Sequence, residues 1–196
     1  MKEVSCRVFE ILIRAVATKG IALERMVEGT TVSLATLRDK NQRIGWTECC
    51  AVMNNLRPIF TDAEYVEIGR SHFRSTMLRF VFVVARLRFT PMGFYRWLNT
   101  PREGVGNQLF TCIVPSTREI SENQIEVDLT VKDGYEICWE FFTITSGNFM
   151  EMPRLLGYPD AHVEVTRLPR GSRFLITVPR RTRFLSRAWR AVTWPI

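Results

Sequence analysis

Histidine is scarce in this 196-residue chain: only His72 and His162 occur, and neither belongs to a nucleophile-elbow pattern. No glycine-rich phosphate loop is present, and ligand spacings such as HExxH or CxxC are missing. The five cysteines (Cys6, Cys49, Cys50, Cys112, Cys138) are odd in number, and the one close pair is adjacent, which suits neither a disulfide framework nor a zinc site. They read as reduced, mostly buried thiols of a cytoplasmic protein. Long apolar runs are also lacking. The N-terminal stretch is broken by Arg7, Glu10 and Arg14, and the longest apolar patch, FVFVVA at 80–85, is too short to cross a bilayer. These absences argue against an enzyme, and for neither a metal nor a cofactor.

Acid is absent from the end of the chain. From Arg167 onward there are eight arginines and no Asp or Glu, which leaves 19 of the 27 bases against all 20 acids in residues 1–166. The net charge of +7 therefore belongs to the tail, and the body is electrically balanced. A nucleic-acid-binding domain spreads its basic face over the fold, so nucleic acid is not the expected partner. Composition is otherwise that of a globular protein, with 46% hydrophobic and 24% charged residues.

What is present divides by period. In residues 1–104 the spacing predicts helices: Val8 to Val16 before Gly20, IALERMVEG ending at Gly29, and a turn capped by Ser33. Further helices are expected in WTECCAVMNNL with Thr47 as cap, after Thr61 and Asp62, over STMLRFVFVVARLRF, and from Pro91. In 105–179 the reading is sheet. QLFTCIVPSTREI, NQIEVDLTV and YEICWEFFTI give three strands, with KDG at 132–134 as a hairpin turn. SGNFMEMPRLLGYP gives a turn and a short inserted helix, and AHVEVTRL and SRFLITV a second pair across Pro169–Gly171. The predicted fold class is α+β: N-terminal helices on an antiparallel sheet of about five strands, one inserted short helix, and a C-terminal amphipathic helix over 180–196.

Aromatic residues cluster at two places, Phe94, Tyr95 and Trp97 before the sheet, and Tyr135, Trp139 and Phe141 on one face of the expected third strand. A packed core accounts for them. The functional alternative is an apolar ligand cavity between helices and sheet, with Arg86 as a charged anchor. His72, near a helix end, is expected as a partly exposed, hydrogen-bonded side chain rather than a metal or haem ligand. In the tail, Arg183, Arg187 and Arg190 share one side of a helix and Leu185, Trp189 and Val192 the other. That helix can lie on its own domain or on a twin, transmit to a downstream output, or touch an anionic membrane surface.

The run SGNFMEMPRLLGYPDAHVEVTRLPRGSRFLITVP resembles the C-terminal half of domains in the V4R and haem–nitric-oxide-binding-like superfamily. The matching positions are Gly147, Leu155, Gly157, Val163, Glu164, Gly171 and Phe174, with Gly147 leading the helix. The resemblance implies a bacterial signalling input module placed ahead of a kinase, cyclase or transcription-activator part, often paired as a homodimer. Two departures bear on chemistry. Arg167 and Arg173 stand where V4R domains often carry cysteines, and the Tyr-x-Ser-x-Arg motif of the haem-binding branch is missing. The combined expectation is a non-catalytic sensor over 1–179 that binds a small apolar or amphiphilic molecule and signals through 180–196. The alternative is a scaffold making only protein contacts.

Overall fold

The structure, a computed structural model, describes residues 2–72, 89–100 and 104–179. Of the apolar helix expected at 75–89, all but Phe89 lies outside the described residues, Arg86 included, as does the C-terminal helix with Leu185, Trp189 and Val192.

Helices form the front of the chain. They are α1 (Phe9–Thr18), α2 (Leu34–Arg38), α3 (Trp46–Leu56), α4 (Asp62–Ser71), α5 (Pro91–Leu98) and α6 (Val105–Leu109). Their starts follow local chemistry. Ser33 accepts the amide of Thr36, Thr90 accepts that of Gly93 with Pro91 at the first helical position, and Thr61 forms a full capping box with Glu64. The exception is α3, capped at Gly45 rather than Thr47. There the Glu3 carboxylate supplies the missing acceptor, taking the Trp46 amide at 3.0 Å from a distant part of the chain. IALERMVEG is a 3₁₀ turn over Leu23–Val27 instead of an α-helix. Two short strands, β1 (Val4–Ser5) and β2 (Arg43–Ile44), pair among these helices.

The main sheet is antiparallel with order β3-β4-β6-β5, built from Ile113–Ser121, Gln124–Val131, Gly171–Thr177 and His162–Leu168. Ile125, Val127, Leu129 and Val131 of β4, with Phe174 and Ile176 of β6, make its buried face. The opposite face is polar: Arg173 grips Asp128 through two bonds of 2.8 Å, and Arg118 reaches Glu126. Pro115 is tolerated because β3 is an edge strand. The pairing across Pro169–Gly171 forms as the sequence predicts.

The expected third strand is not one. YEICWEFFTI and the short helix after it form a single helix, α7 (Trp139–Leu155), entered through a turn at Gly134 where φ is 85°. KDG therefore closes no hairpin, the main sheet has four strands, and Tyr135, Trp139 and Phe141 do not share a strand face. The physical reason is burial on more than one side. Between the sheet and α4, α7 buries Phe141, Phe142, Ile144, Phe149, Met152 and Leu155 around most of its circumference, which erases the one-sided pattern that marks a helix in sequence. Its β-branched and aromatic residues then read as strand, and tertiary packing overrides that propensity. Gly147 lies in the interior of α7 rather than leading a helix.

Pro153 sits in the last turn of α7 and has no N–H to give to the carbonyl of Phe149. The Tyr95 hydroxyl, from α5, donates to that same carbonyl at 2.6 Å. One side chain thus satisfies an acceptor that the helix itself leaves open, and ties α5 to the central helix.

Candidate functional site

The buried face of the sheet, α1, α7 and the ends of α4 and α5 border a partly open cavity of about 200 Å³. Ile11 and Leu12 of α1, Leu98 and Leu109 beside α5 and α6, and Phe141 and Met152 of α7 give it apolar walls. Pro115 and Leu129 close it from the sheet. Among the described residues, five polar side chains line it: His72, Asn99, Asn107, Thr145 and Asn148. Among the described residues no Asp, Glu, Lys or Arg does.

The polar groups are placed by their elements. His72 is the C-cap of α4, and Asn99 that of α5. Thr145 and Asn148 are one turn apart on α7 and so face the same way. The Asn99 amide donates to the Tyr95 carbonyl at 2.8 Å, and the Thr145 hydroxyl donates to the Phe141 carbonyl at 2.8 Å. Asn148 Oδ1 is buried with no hydrogen-bond partner. Burial pushes the His72 imidazole below its ordinary value, against a smaller opposing pull from Glu10, so it is held neutral near pH 7.

Of the residues singled out from the sequence, Phe141 lines this cavity. Tyr95 is fully buried and engaged with Phe149. Phe94 stacks on Trp97 with ring centroids 5.8 Å apart, and Trp97 is 43% exposed. Tyr135 donates to Glu3 at 3.1 Å, fastening the turn before α7 to β1. Trp139 lies under the Arg167 guanidinium, 4.5 Å from the ring centroid. The structure thus disperses the two aromatic clusters, and brings one member to the cavity. Thr145, Asn148 and Asn99 were not legible as site residues: Asn148 falls in SGN, which reads as a turn, and an amide inside a helix carries no positional signal.

The five cysteines are free and buried. Burial raises Cys6, Cys49 and Cys112, and a hydrogen bond with Cys138, with burial adding to it, raises Cys50, so these thiols stay protonated. The described residues contain no group of three or more His, Cys, Asp or Glu able to hold a metal ion. No helix among them is long and apolar enough to cross a membrane.

No protein-family model and no curated protein matches the chain. Solved structures do. The chain is similar to an H-NOX protein from K. algicida in its Fe(II) unliganded form, at 8% identity and a TM-score of 0.69, over 92% of this chain and 100% of that one. A single-residue mutant of that protein gives 10% identity and 0.67, with the same coverage. A mutant SO2144 H-NOX domain from Shewanella oneidensis in the Fe(II)CO state gives 13% identity and 0.57, over 92% and 99%. The fold is H-NOX-like.

Proposed function

We propose that this chain is a non-catalytic sensory input domain that holds a small apolar or amphiphilic molecule in the cavity beneath the sheet. The observation that carries the reading is the cavity itself: apolar walls with a few convergent polar groups are the usual form of a small-molecule site. The H-NOX-like fold supports it, as does the resemblance to V4R and haem–nitric-oxide-binding-like signalling modules. On this reading the domain spans 1–179, works as a homodimer in the bacterial cytoplasm, and passes occupancy to an output partner through 180–196. Nucleic acid is not its ligand. A membrane surface is at most a peripheral contact of the tail. Scaffolding alone would not call for a cavity of this kind.

Three of the similar structures are Fe(II) proteins, which raises haem as the occupant. The described lining does not fit one. Among the described residues His72 is its single imidazole, and no described Lys or Arg lines the cavity to pair with two propionates. A volume of about 200 Å³ is little more than the ~150 Å³ of an apolar cavity that accepts benzene. A tetrapyrrole is several times larger than such a guest, so no role is assigned to haem.

Native mass spectrometry of freshly purified protein, with thermal shifts across a panel of small apolar and amphiphilic compounds, tests the proposal. A retained guest of modest mass, or saturable stabilisation by members of the panel, is the expected result. A chain that carries nothing and responds to none of them would overturn it.

A further inference from the structure

The cavity is bounded unevenly. Among the described lining residues Gly106 alone is exposed, and Val105, Asn107 and Leu109 beside it are only partly buried. The open side therefore runs along α6. That helix is also the weakest part of the surround: it has five residues, none of them buried, and no side-chain cap at Gly104. A single turn gains little from its own hydrogen bonds. Its two ends are fixed. A side-chain carbon on Gly104 would come within 2.5 Å of the Leu98 carbonyl oxygen, so the backbone is pressed against the end of α5. Phe110 bridges to Val4 of β1 and packs its ring on Trp46 and Phe141, with centroids 6.4 and 4.8 Å away. Between these ends, among the described residues, one hydrogen bond joins α6 to another element. Arg43 Nη1 donates to the Gln108 carbonyl at 2.8 Å, an acceptor the last turn of the helix leaves open.

Resting on the reading of the cavity as a ligand site, we infer that α6 is a lid at the cavity mouth and that Arg43 is its latch, so that an apolar guest enters and leaves by local opening of Val105–Leu109. Segments with few buried contacts open at the least cost. The latch itself is well founded. The same guanidinium donates to the main-chain carbonyls of Lys2 and Glu3 at 3.0 and 2.7 Å. Strand β1 keeps its place without these bonds, because it pairs with β2, and the Glu3 carboxylate holds the Trp46 amide and the Tyr135 hydroxyl. Arg43 thus reaches from an anchored strand to a helix that little else restrains. Its planar fork serves three carbonyls at once, which the single ammonium of a lysine does not.

Fluorobenzene, of a size the volume admits, is the probe, with its exchange into the full chain followed by fluorine NMR and the opening of α6 by amide hydrogen exchange. In the wild type the Gln108 and Phe110 amides, bonded to the Gly104 and Gly106 carbonyls, should exchange at least about tenfold faster than amides in the middle of α7. Arg43→Lys keeps the charge and loses the fork. Entry and exit of fluorobenzene should both quicken about tenfold, the size of a lost hydrogen bond from a charged donor. Its Kd should change by less than about twofold, since a lid alters both rates alike. A variant that speeds exchange in α1 and α7 as much as in α6, with weaker binding, has lost the fold rather than the latch and overturns the assignment. Binding with unchanged rates overturns the latch and leaves the cavity reading standing. Should the variant fail to fold, the wild-type exchange decides: protection in α6 equal to that in α7 overturns the lid. Fluorobenzene that the wild type does not bind overturns the cavity reading itself.

Discussion

Gly69 and Gly147 interlock where α4 crosses α7. A side-chain carbon on Gly69 would collide with the Ile144 carbonyl oxygen, and one on Gly147 with the Val66 carbonyl oxygen. Each glycine lets the other helix's backbone approach. Because Asn148 follows Gly147 and His72 comes one turn after Gly69, this contact also sets the separation of two polar groups at the cavity.

Alanine at either glycine therefore forces the helices apart. Gly69→Ala and Gly147→Ala should each destabilise the protein by about 1–3 kcal/mol or more, as overpacking does, despite alanine's better helix propensity. Urea unfolding checks this. An unchanged midpoint for both would show that the helices can slide without cost.

Tyr95→Phe removes the donor that serves the Phe149 carbonyl, which Pro153 leaves without its helical partner. The expected loss is about 1–3 kcal/mol, that of a buried acceptor left unsatisfied. Pro153→Ala in the same background restores a main-chain donor and should recover part of the loss, so the double-mutant cycle should show coupling between the two sites.

Stability should fall in two steps as pH drops. His72 has a folded-state pKa below its ordinary 6.5, so above that value neither state takes the proton and the residue contributes nothing. Below it the unfolded chain binds a proton that the folded one refuses, and stability declines. His72→Gln should flatten this first step. A second step begins near 4.5, where Glu64, held down to about 2 chiefly by Lys19 and the Thr61 amide, loses the advantage it contributes at higher pH. Glu10, lowered chiefly by Lys40, adds to it. Denaturant midpoints measured from pH 8 to pH 3 separate the two.

Haemin added to the purified chain should give no stoichiometric Soret band of a histidine-ligated complex. A sharp band that disappears in His72→Ala would contradict the assignment made from the cavity's size and lining.

The thiols should react slowly with Ellman's reagent in the folded state and rapidly in denaturant. All five are buried, and burial lifts Cys112 to about 12. A fast native-state thiol would single out a cysteine with a role beyond packing.

Much of this molecule is legible in its sequence where chemistry is local. Thr61 with Glu64, Thr90 with Pro91, and the alternation from Gln124 to Val131 each act within a few residues, and each forms the element it predicts. The α+β class, antiparallel pairing and missing catalytic motifs follow from the same short-range rules. The misreadings begin where an element is surrounded. A helix packed on several sides has no polar face to betray its period, so α7 reads as a strand, a turn and a short helix. Glu3 capping Trp46 across the chain, Tyr95 completing the turn at Pro153, and Asn148 lining a largely apolar cavity depend on distances between segments far apart in sequence. The residues set which groups exist and which helices can start. Only the close approach of α4 and α7, allowed by two glycines, decided which of those groups would share a cavity, because proximity between distant segments is a property of packing and not of local propensity.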